Sequence, residues 1–545
     1  MNSVYQCFRD SAARYAANDF LHIPIHAARH YSDEGIELDY ASARAAIDNL
    51  LSRYRAAGYG SGHRVALLLQ NRQEFLLHWF ALNGLGVCVV PVNDEMALEE
   101  QAYIIEHSEA EVLLHLPELA SRAAALQRLL GSQLLSQATD QMNQLRSPTS
   151  PAGDDQPALA NECAVLYTSG STGKPKGCVL SNEYFLLSGL RYVELDGLCA
   201  MESGCERLIT PLPLVHMNAM ACSTVAMIMT GGCLIQLDRF HPGSWWRSVR
   251  ESRATILHYL GVMPAMLLTL PPIEDGAGDD FSRQIKFAFG AGVNPRHHAA
   301  FEQRFGFPLI EAWGMTETGN HCAIVANREP RHVGNCCFGV APDHLETRLV
   351  DETDRQVEAG QAGELLVRHR GDDPCKGFFR EYLKDSEATA RAWKGGWFHT
   401  GDVVRQDNAG AMYFVDRRKN IIRRSGENIS ALEVEAALSR DPGIAMAVVC
   451  PVPDDIRGDE VMACIIPAAQ ITEDQRAAEA IARTALANLV YFKIPGYIAF
   501  FDELPLTPSE KPRRADIKSL AQRMLQQGQC YDVRHLKKRQ GSNVS

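Results

Sequence analysis

Apolar residues recur at helical spacing between Tyr40 and Ala57, through Ala43, Ile47, Leu50, Leu51 and Tyr54. A stripe of this kind predicts an amphipathic helix. Arg64 to Leu69 is a short, nearly unbroken apolar run and predicts a buried strand. Glu74 to Leu85 returns to the helical spacing, and Val87 to Val92 is strand-like. Strand, helix and strand at these separations predict βαβ units on a parallel sheet. Gln137 to Glu162 is mostly polar and includes Ser147-Pro148-Thr149-Ser150-Pro151, which predicts a surface loop or linker. The α/β pattern resumes at Cys163 and runs past residue 340. From Glu364 the strands shorten, as in Gly363–Arg368 and Ala411–Asp416. Beyond the charged run Asp416–Asn420 come a helix (430–439), strands (444–450, 461–467), a helix (473–487) and a last strand (496–501). No internal repeat is found. The predicted architecture is an α/β large N-terminal domain, with doubly wound βαβ sheets plus a small β-rich region, and a smaller α+β C-terminal domain. The expected boundaries are 1–416, 417–531 and a frayed polar tail, 532–545.

One apolar stretch, Leu214 to Leu237, approaches membrane-spanning length. It contains His216, Asn218, Ser223 and Thr224, and Gly231-Gly232 breaks it. That pattern predicts a buried core helix followed by a strand rather than a span. The start of the chain lacks the apolar core of a secretory leader. The fifteen cysteines are scattered without a C-x-x-C, and Cys336-Cys337 are vicinal. This pattern predicts reduced thiols in a cytoplasmic protein. Of 545 residues, 46% are hydrophobic and 22% charged, with a net charge of −12. That balance argues against a dedicated nucleic-acid binder, whose affinity rests on clustered Lys and Arg.

The sharpest local signal follows the strand Cys163–Leu166: Tyr167-Thr168-Ser169-Gly170-Ser171-Thr172-Gly173-Lys174-Pro175-Lys176-Gly177. Three glycines permit close backbone approach, four hydroxyls and successive N–H groups offer donors, and two lysines add charge. A polyphosphate would satisfy all of them, whereas a simple polar turn needs only two or three such residues. It is not a Walker A loop, because only two residues separate Gly170 from Gly173 and Pro175 follows the lysine.

With this loop the sequence resembles the AMP-forming, acyl-adenylating enzymes: acyl-CoA synthetases, peptide-synthetase adenylation domains and beetle luciferases. Further matching segments follow in the family's order. They are Phe289-Gly290-Ala291-Gly292, Glu311-Ala312-Trp313-Gly314-Met315-Thr316-Glu317-Thr318, Trp397-Phe398-His399-Thr400-Gly401-Asp402, Asp416-Arg417-Arg418-Lys419-Asn420 and Leu504-Pro505-Leu506-Thr507-Pro508-Ser509-Glu510-Lys511. Residues from about 10 to 520 take part, and within the family the chain looks most like the crotonobetaine/carnitine-CoA ligases and related bacterial acyl-CoA ligases.

The resemblance implies a two-step reaction. A carboxylate attacks the α-phosphate of Mg-ATP, giving acyl-AMP and pyrophosphate. The thiol of CoA then takes the acyl group and AMP leaves. By resemblance Thr168, Ser169, Gly170, Ser171, Thr172, Gly173, Lys174 and Lys176 hold phosphates. Thr316 donates to the α-phosphate and Glu317 ligates Mg²⁺. Trp313, with Ala312, Gly314 and Met315, and the backbone of Gly290, Ala291 and Gly292 surround adenine. Asp402 accepts from the ribose and Arg417 reaches the ribose or a phosphate. Lys511 is the adenylation lysine, although Glu510 stands where the family commonly has Gly. Lys419 is the hinge about which the small domain turns between half-reactions. Gly426 walls the pantetheine tunnel, with Arg423 and Arg424 beside the CoA nucleotide.

In the same family His216, within Pro213–Asn218, gates the acyl site, and Gly261–Pro264 with Gly314 complete its wall. The apolar character of these segments predicts a short to medium aliphatic or aryl acid. An adenylating enzyme loading a carrier protein in trans and an inactive nucleotide-binding homologue remain as alternatives. Monomer and homodimer both remain open.

Overall fold

A computed structural model describes the chain except residues 29–30, 132, 154–155, 169–173, 274–277, 294, 352, 418–420, 426, 469–472, 506–511, 513 and 539–545. The chain forms two compact units, the first ending at Asp416 and the second starting at Arg417, with the short segments Glu95–Glu100 and Ser169–Lys176 grouped with the second.

The first unit is built on two sheets. In the larger, thirteen strands run from Leu345–Val350 at one edge to Ile36–Asp39 at the other. Its parallel part contains Cys233–Gln236, Arg207–Thr210, Ile256–Leu260, Phe287–Ala291 and Leu309–Trp313 in spatial order. At Leu309–Trp313 the pairing changes. This strand is parallel to Phe287–Ala291 on one side and antiparallel to Ile324–Val325 on the other. The second sheet has seven strands, including the parallel set Cys88–Pro91, Arg64–Leu68, Val112–His115 and Leu135–Ala138, and Glu162–Thr168, which leads into the phosphate loop.

The helix read from Tyr40 spans Tyr40–Ala56 and is capped by the Asp39 carboxylate, which accepts from Ser42 N. Helix Asn182–Val193 crosses Val225–Thr230 closely. A Cβ on Gly189 would lie 2.4 Å from Val225 Cγ1, so only glycine fits that crossing. The apolar stretch after Leu214 forms a π-helical segment, Asn218–Thr224, then helix Val225–Thr230, and after Gly231 the strand Cys233–Gln236. No helix among the described residues is long and apolar enough to cross a membrane.

The polar stretch from Gln137 is a loop folded onto the first unit. The hydroxyl and N–H of Thr149 each donate to Glu111 at 2.7 Å, and Ser150 N donates at 3.1 Å. Burial alone would raise the Glu111 carboxyl, but the hydrogen bonds from Ser150 and Thr149 outweigh it and bring it down to about 2.

In the second unit, Ile444–Asp454 and Gly458–Pro467 form a long antiparallel pair, backed by helices Ala431–Leu438, Gln475–Asn488 and Arg514–Gln526. Of the tail expected to fray from residue 532, the described part, 532–538, is instead packed at two of its positions. Tyr531–Asp532 pairs with Tyr497–Phe500, Val533 is fully buried, and Lys537 donates to the buried Glu460. Arg424 Nε donates to the same carboxylate at 2.8 Å. Lys537 and Arg424 thus share one buried carboxylate, and removing any one of the three would leave an uncompensated polar group in the interior.

The core of the first unit encloses His78, whose Nδ1 lies 2.7 Å from the Tyr54 hydroxyl. Burial holds this imidazole down at about 3, against about 6.5 in an unfolded chain. As pH falls below about 6.5 the unfolded state takes up the proton first, so stability present above that pH is progressively lost. From pH 7 to pH 5 His78 should contribute about 2 kcal/mol of destabilisation. Urea unfolding at both pH values should show a shallower loss for His78→Gln. Identical losses in the two proteins would mean that His78 does not govern acid lability.

Candidate active site

Three neighbouring parallel strands, Ile256–Leu260, Phe287–Ala291 and Leu309–Trp313, end at the same edge of the large sheet. Ligands in open α/β sheets bind at such carboxyl ends, most readily where the strand order or pairing changes. Each strand runs directly into a glycine, Gly261, Gly292 or Gly314, and the residues after Gly314 carry Thr316 and Glu317.

One carboxylate ties the second of these loops to the neighbouring strand. Glu311, only 7% exposed, accepts from Gly292 N at 3.0 Å and from Val293 N at 2.8 Å. The loop at 291–293 is thereby fixed to the strand that carries Trp313. A third loop closes against it, with Gly261 N donating to Ala291 O at 3.0 Å. A Cβ on Gly261 would sit 1.7 Å from Gly292 O, so glycine is obligatory there. The glycines of the 289–292 segment have separate causes. A Cβ on Gly290 would fall 2.2 Å from Tyr259 O, which makes that glycine a demand of the neighbouring strand rather than of a ligand. Gly292 faces open space with φ of +78°, and Ala291 and Gly292 are exposed at the edge.

Trp313 Nε1 donates to Asp402 Oδ2 at 2.9 Å, and both residues are buried. The Thr400 hydroxyl accepts from Asp402 N at 3.0 Å, which fixes the backbone of Asp402 in its strand, Phe398–Gln406, while the indole holds the carboxylate. Sequence positions 313 and 402 therefore form one unit. Glu317 lies in a turn rather than at a helix start. Its Oε1 accepts from the Tyr382 hydroxyl at 2.8 Å, and its carbonyl accepts from Phe379 N at 2.8 Å. Tyr382 belongs to the strand Glu381–Tyr382, which pairs with the strand leaving the phosphate loop, Tyr382 opposite Cys178. Thr316 O accepts from the Tyr184 hydroxyl at 2.7 Å, and the Thr318 hydroxyl accepts from Met315 N at 3.1 Å. Ala312 is half-buried in its strand and Gly314 is exposed.

His216 is exposed at the start of the π-helical segment. The loop before it is pinned by Asn71, whose Oδ1 accepts from Leu214 N at 2.8 Å while its Nδ2 donates to Leu212 O and Leu237 O. The residues predicted to wall the acyl site, Gly261–Pro264, fall in two settings. Gly261 and Val262 stand at the edge, but Met263 and Pro264 are buried with Trp245, Leu257, Tyr259 and Phe301 around a small apolar cavity on the opposite face of the strand. Arg424, expected near a CoA nucleotide, is 2% exposed and committed to Glu460. Thr168 ends its strand half-buried, Lys174 is exposed, and Lys176 opens the strand Lys176–Ser181. Ser169, Gly170, Ser171, Thr172, Gly173, Lys419, Gly426 and Lys511 lie outside the described residues, as does the side chain of Arg417.

The sequence pattern of the AMP-binding enzymes matches residues 8–383, and that of the AMP-binding enzyme C-terminal domain matches 433–511. The chain belongs to the AMP-binding enzyme family. Among curated AMP-binding relatives, a crotonobetaine/carnitine–CoA ligase of Salmonella paratyphi A is 29% identical over 505 residues, 89% of this chain and 94% of the relative. Its counterpart in Escherichia coli is 28% identical over 494 residues, 88% and 92% of the two chains. Among solved structures, o-succinylbenzoate CoA synthetase from Bacillus subtilis superposes with a TM-score of 0.80 at 21% identity, over 95% of this chain and 98% of that one. The amide bond synthetase of Marinactinospora thermotolerans gives 0.79 at 23% identity, over 95% and 99%. The protein is an AMP-forming enzyme of the class that includes the acyl-CoA synthetases.

Within this AMP-binding enzyme, Glu311 and Tyr382 are the contributors that motif reading passes over. Glu311 opens a motif without donating to any ligand, and Tyr382 lies 65 positions beyond the carboxylate it holds. The Trp313–Asp402 bond has a measurable worth. A buried hydrogen bond to a charged group contributes about 1.5–3 kcal/mol. Trp313→Phe should therefore destabilise the first unit by about 2 kcal/mol. A double-mutant cycle with Asp402→Asn, followed by urea unfolding, should return a coupling of at least ~0.5 kcal/mol. Additive losses would show that the two side chains act independently.

Proposed function

We propose that this AMP-binding enzyme is an acid–CoA ligase. It activates a short to medium aliphatic or aryl carboxylic acid as acyl-AMP, with loss of pyrophosphate, and passes the acyl group to the thiol of CoA with loss of AMP. The observation that carries the reading is the meeting of three distant segments at one sheet edge: the loop at 291–293 on Glu311, Trp313 on Asp402, and Glu317 on Tyr382. The choice of CoA as acceptor is supported by the names of the curated relatives, which are CoA ligases of comparable length.

On this reading Trp313, Gly314 and the exposed backbone at Ala291–Gly292 border adenine, with Ala312 and Met315 shaping the same edge. Asp402, oriented by the indole, accepts from a ribose hydroxyl. The Thr316 hydroxyl donates to the α-phosphate, while Thr168, Lys174, Lys176 and residues 169–173 surround the terminal phosphates. Glu317 is a fixed carboxylate beside a threonine hydroxyl, a hard-oxygen set that suits Mg²⁺. No group of three or more His, Cys, Asp or Glu side chains able to hold a metal occurs among the described residues. A magnesium ion held by one carboxylate and by substrate phosphates needs no such cage. When bound it would offset charge on the phosphates. His216 borders the acyl entrance. Arg417, Lys419, Gly426 and Lys511 carry the roles given by motif position: nucleotide contact, hinge, tunnel wall and adenylation lysine.

A panel of carboxylates assayed for pyrophosphate release, with and without CoA, tests the reading. Acid-dependent pyrophosphate together with acyl-CoA supports it. Pyrophosphate without a CoA thioester sends the acyl group to a carrier protein or an amine instead. Tight ATP binding with no turnover identifies an inactive homologue. Within the active case, Lys511→Ala should slow acyl-AMP formation about 10²–10³-fold. It should leave thioester formation from presynthesised acyl-AMP near the parent rate. Adenylation within a few-fold of the parent would place the reacting cation elsewhere.

A further inference from the structure

Against the acyl-site segment Pro213–Asn218 lies a buried polar network that the two-step chemistry does not use. His258 stands on the strand Ile256–Leu260, on the face opposite Leu257 and Tyr259, and is fully buried. Its Nε2 is 2.8 Å from the Tyr192 hydroxyl. Its Nδ1 is 2.7 Å from Asn218 Oδ1 and 2.9 Å from the Ser223 hydroxyl, which itself donates to Asn218 O at 3.1 Å. Tyr192 and Ser223 are also fully buried.

The two hydroxyls place the proton: the Ser223 hydroxyl hydrogen is spent on Asn218 O and the Tyr192 hydroxyl donates to Nε2, so Nδ1 carries the hydrogen and calls for an acceptor on Asn218. Burial keeps the imidazole neutral, at about 3. Asn218 is thereby orientated: its oxygen is fixed on His258, and its amide nitrogen is turned the other way. Asn218 Nδ2 makes no hydrogen bond among the described residues, and Asn218 is the last partly exposed position before the buried run Ala219–Thr224. A structural asparagine in a core uses both ends, as Asn71 does. Asn218 uses one, beside the exposed His216, at the opening of a π-helical segment. Such segments are rare and concentrate at functional sites.

We propose that Asn218 Nδ2 donates to an oxygen acceptor in the tail of the acid, and that the substrates are carboxylic acids bearing a hydroxyl or carbonyl oxygen rather than plain hydrocarbon acids. His258, Tyr192 and Ser223 are positioning residues that hold the amide in that orientation. The same geometry disfavours a quaternary ammonium tail, which would meet a donor instead of an acceptor. The inference rests on the acid-activating reading above.

The test is ATP–pyrophosphate exchange with matched acids: 3-hydroxybutanoate against butanoate, 4-oxopentanoate against pentanoate, and 4-hydroxybenzoate against benzoate. The parent enzyme should favour the oxygen-bearing member of at least one pair by about 10-fold or more in kcat/KM. Asn218→Leu should abolish that ratio. Asn218→Asp, nearly isosteric and so little disturbing to the fold, replaces the donor with a carboxylate oxygen and should push the ratio below one for the 4-oxopentanoate pair, whose ketone only accepts, whereas a hydroxy acid can turn its O–H toward the carboxylate. His258→Phe should raise KM for the oxygen-bearing acid about 10-fold with kcat nearly kept, and His258→Gln, which retains a donor for Asn218 Oδ1, should recover part of the loss. Exchange with no preference within any pair, or a parental ratio in both Asn218 variants, overturns the assignment of Asn218 while acid activation stands. No exchange with any acid overturns the acid-activating reading and this inference with it.

Discussion

The two hydrogen bonds that Glu311 accepts from Gly292 N and Val293 N set the geometry on which the site rests. The strand Leu309–Trp313 is where the large sheet turns from parallel to antiparallel pairing, so loops on its two sides have no common ladder to align them. A buried carboxylate in the middle of that strand ties it to the loop on its parallel side. Charge-assisted bonds of this kind are short and strong, and leaving the carboxylate or the two N–H groups unpaired in a dry interior is costly. With the loop at 291–293 fixed, Gly261 can close to van der Waals distance on it, and three strand ends become a single surface.

The same device recurs at smaller scale around that edge. Trp313 holds Asp402, Tyr382 holds Glu317, and Tyr184 holds the carbonyl of Thr316. In each case an aromatic donor, buried at Trp313 and Tyr184 and half-buried at Tyr382, reaches across from a different segment and fixes an oxygen. An acidic group that must meet phosphates or a metal gains from this, because preorganised groups need no rearrangement at the moment of reaction. The residues that touch a ligand in the family pattern are therefore only half of the arrangement. The other half sits on strands and helices whose sequence carries no motif.

The second unit solves a different problem by similar means. Its C-terminal stretch is too polar to pack by hydrophobic burial alone. Val533 inserts into the core, and Lys537 shares the buried Glu460 carboxylate with Arg424. Arg424 is consequently a core residue, and its place beside a phosphate-rich nucleotide is taken away by the fold.

The sequence by itself determined the classes of element and the ligand chemistry. Apolar spacing located the helix at Tyr40, the strands at Arg64, Val87 and Cys163, and the buried segment after Leu214, because a stripe or an unbroken apolar run must be buried somewhere whatever the topology. The glycine, hydroxyl and lysine pattern from Thr168 to Lys176 reads as an anion cradle from local composition alone, with 169–173 outside the described residues. What only the tertiary structure decided is which distant residues share an edge. Nothing in the local pattern links Glu311 to Gly292, Trp313 to Asp402, or Tyr382 to Glu317, since each bond joins strands whose neighbourhood is set by sheet order. Nor does local pattern distinguish Gly290, required by Tyr259, from Gly292, required by its own backbone angle. Met263 and Pro264 read as pocket wall in the sequence and turned out to face the opposite side of the strand. The segment 532–538 read as a frayed tail, yet Val533 and Lys537 are buried, and the carboxylate that Lys537 meets lies 77 residues earlier in the chain.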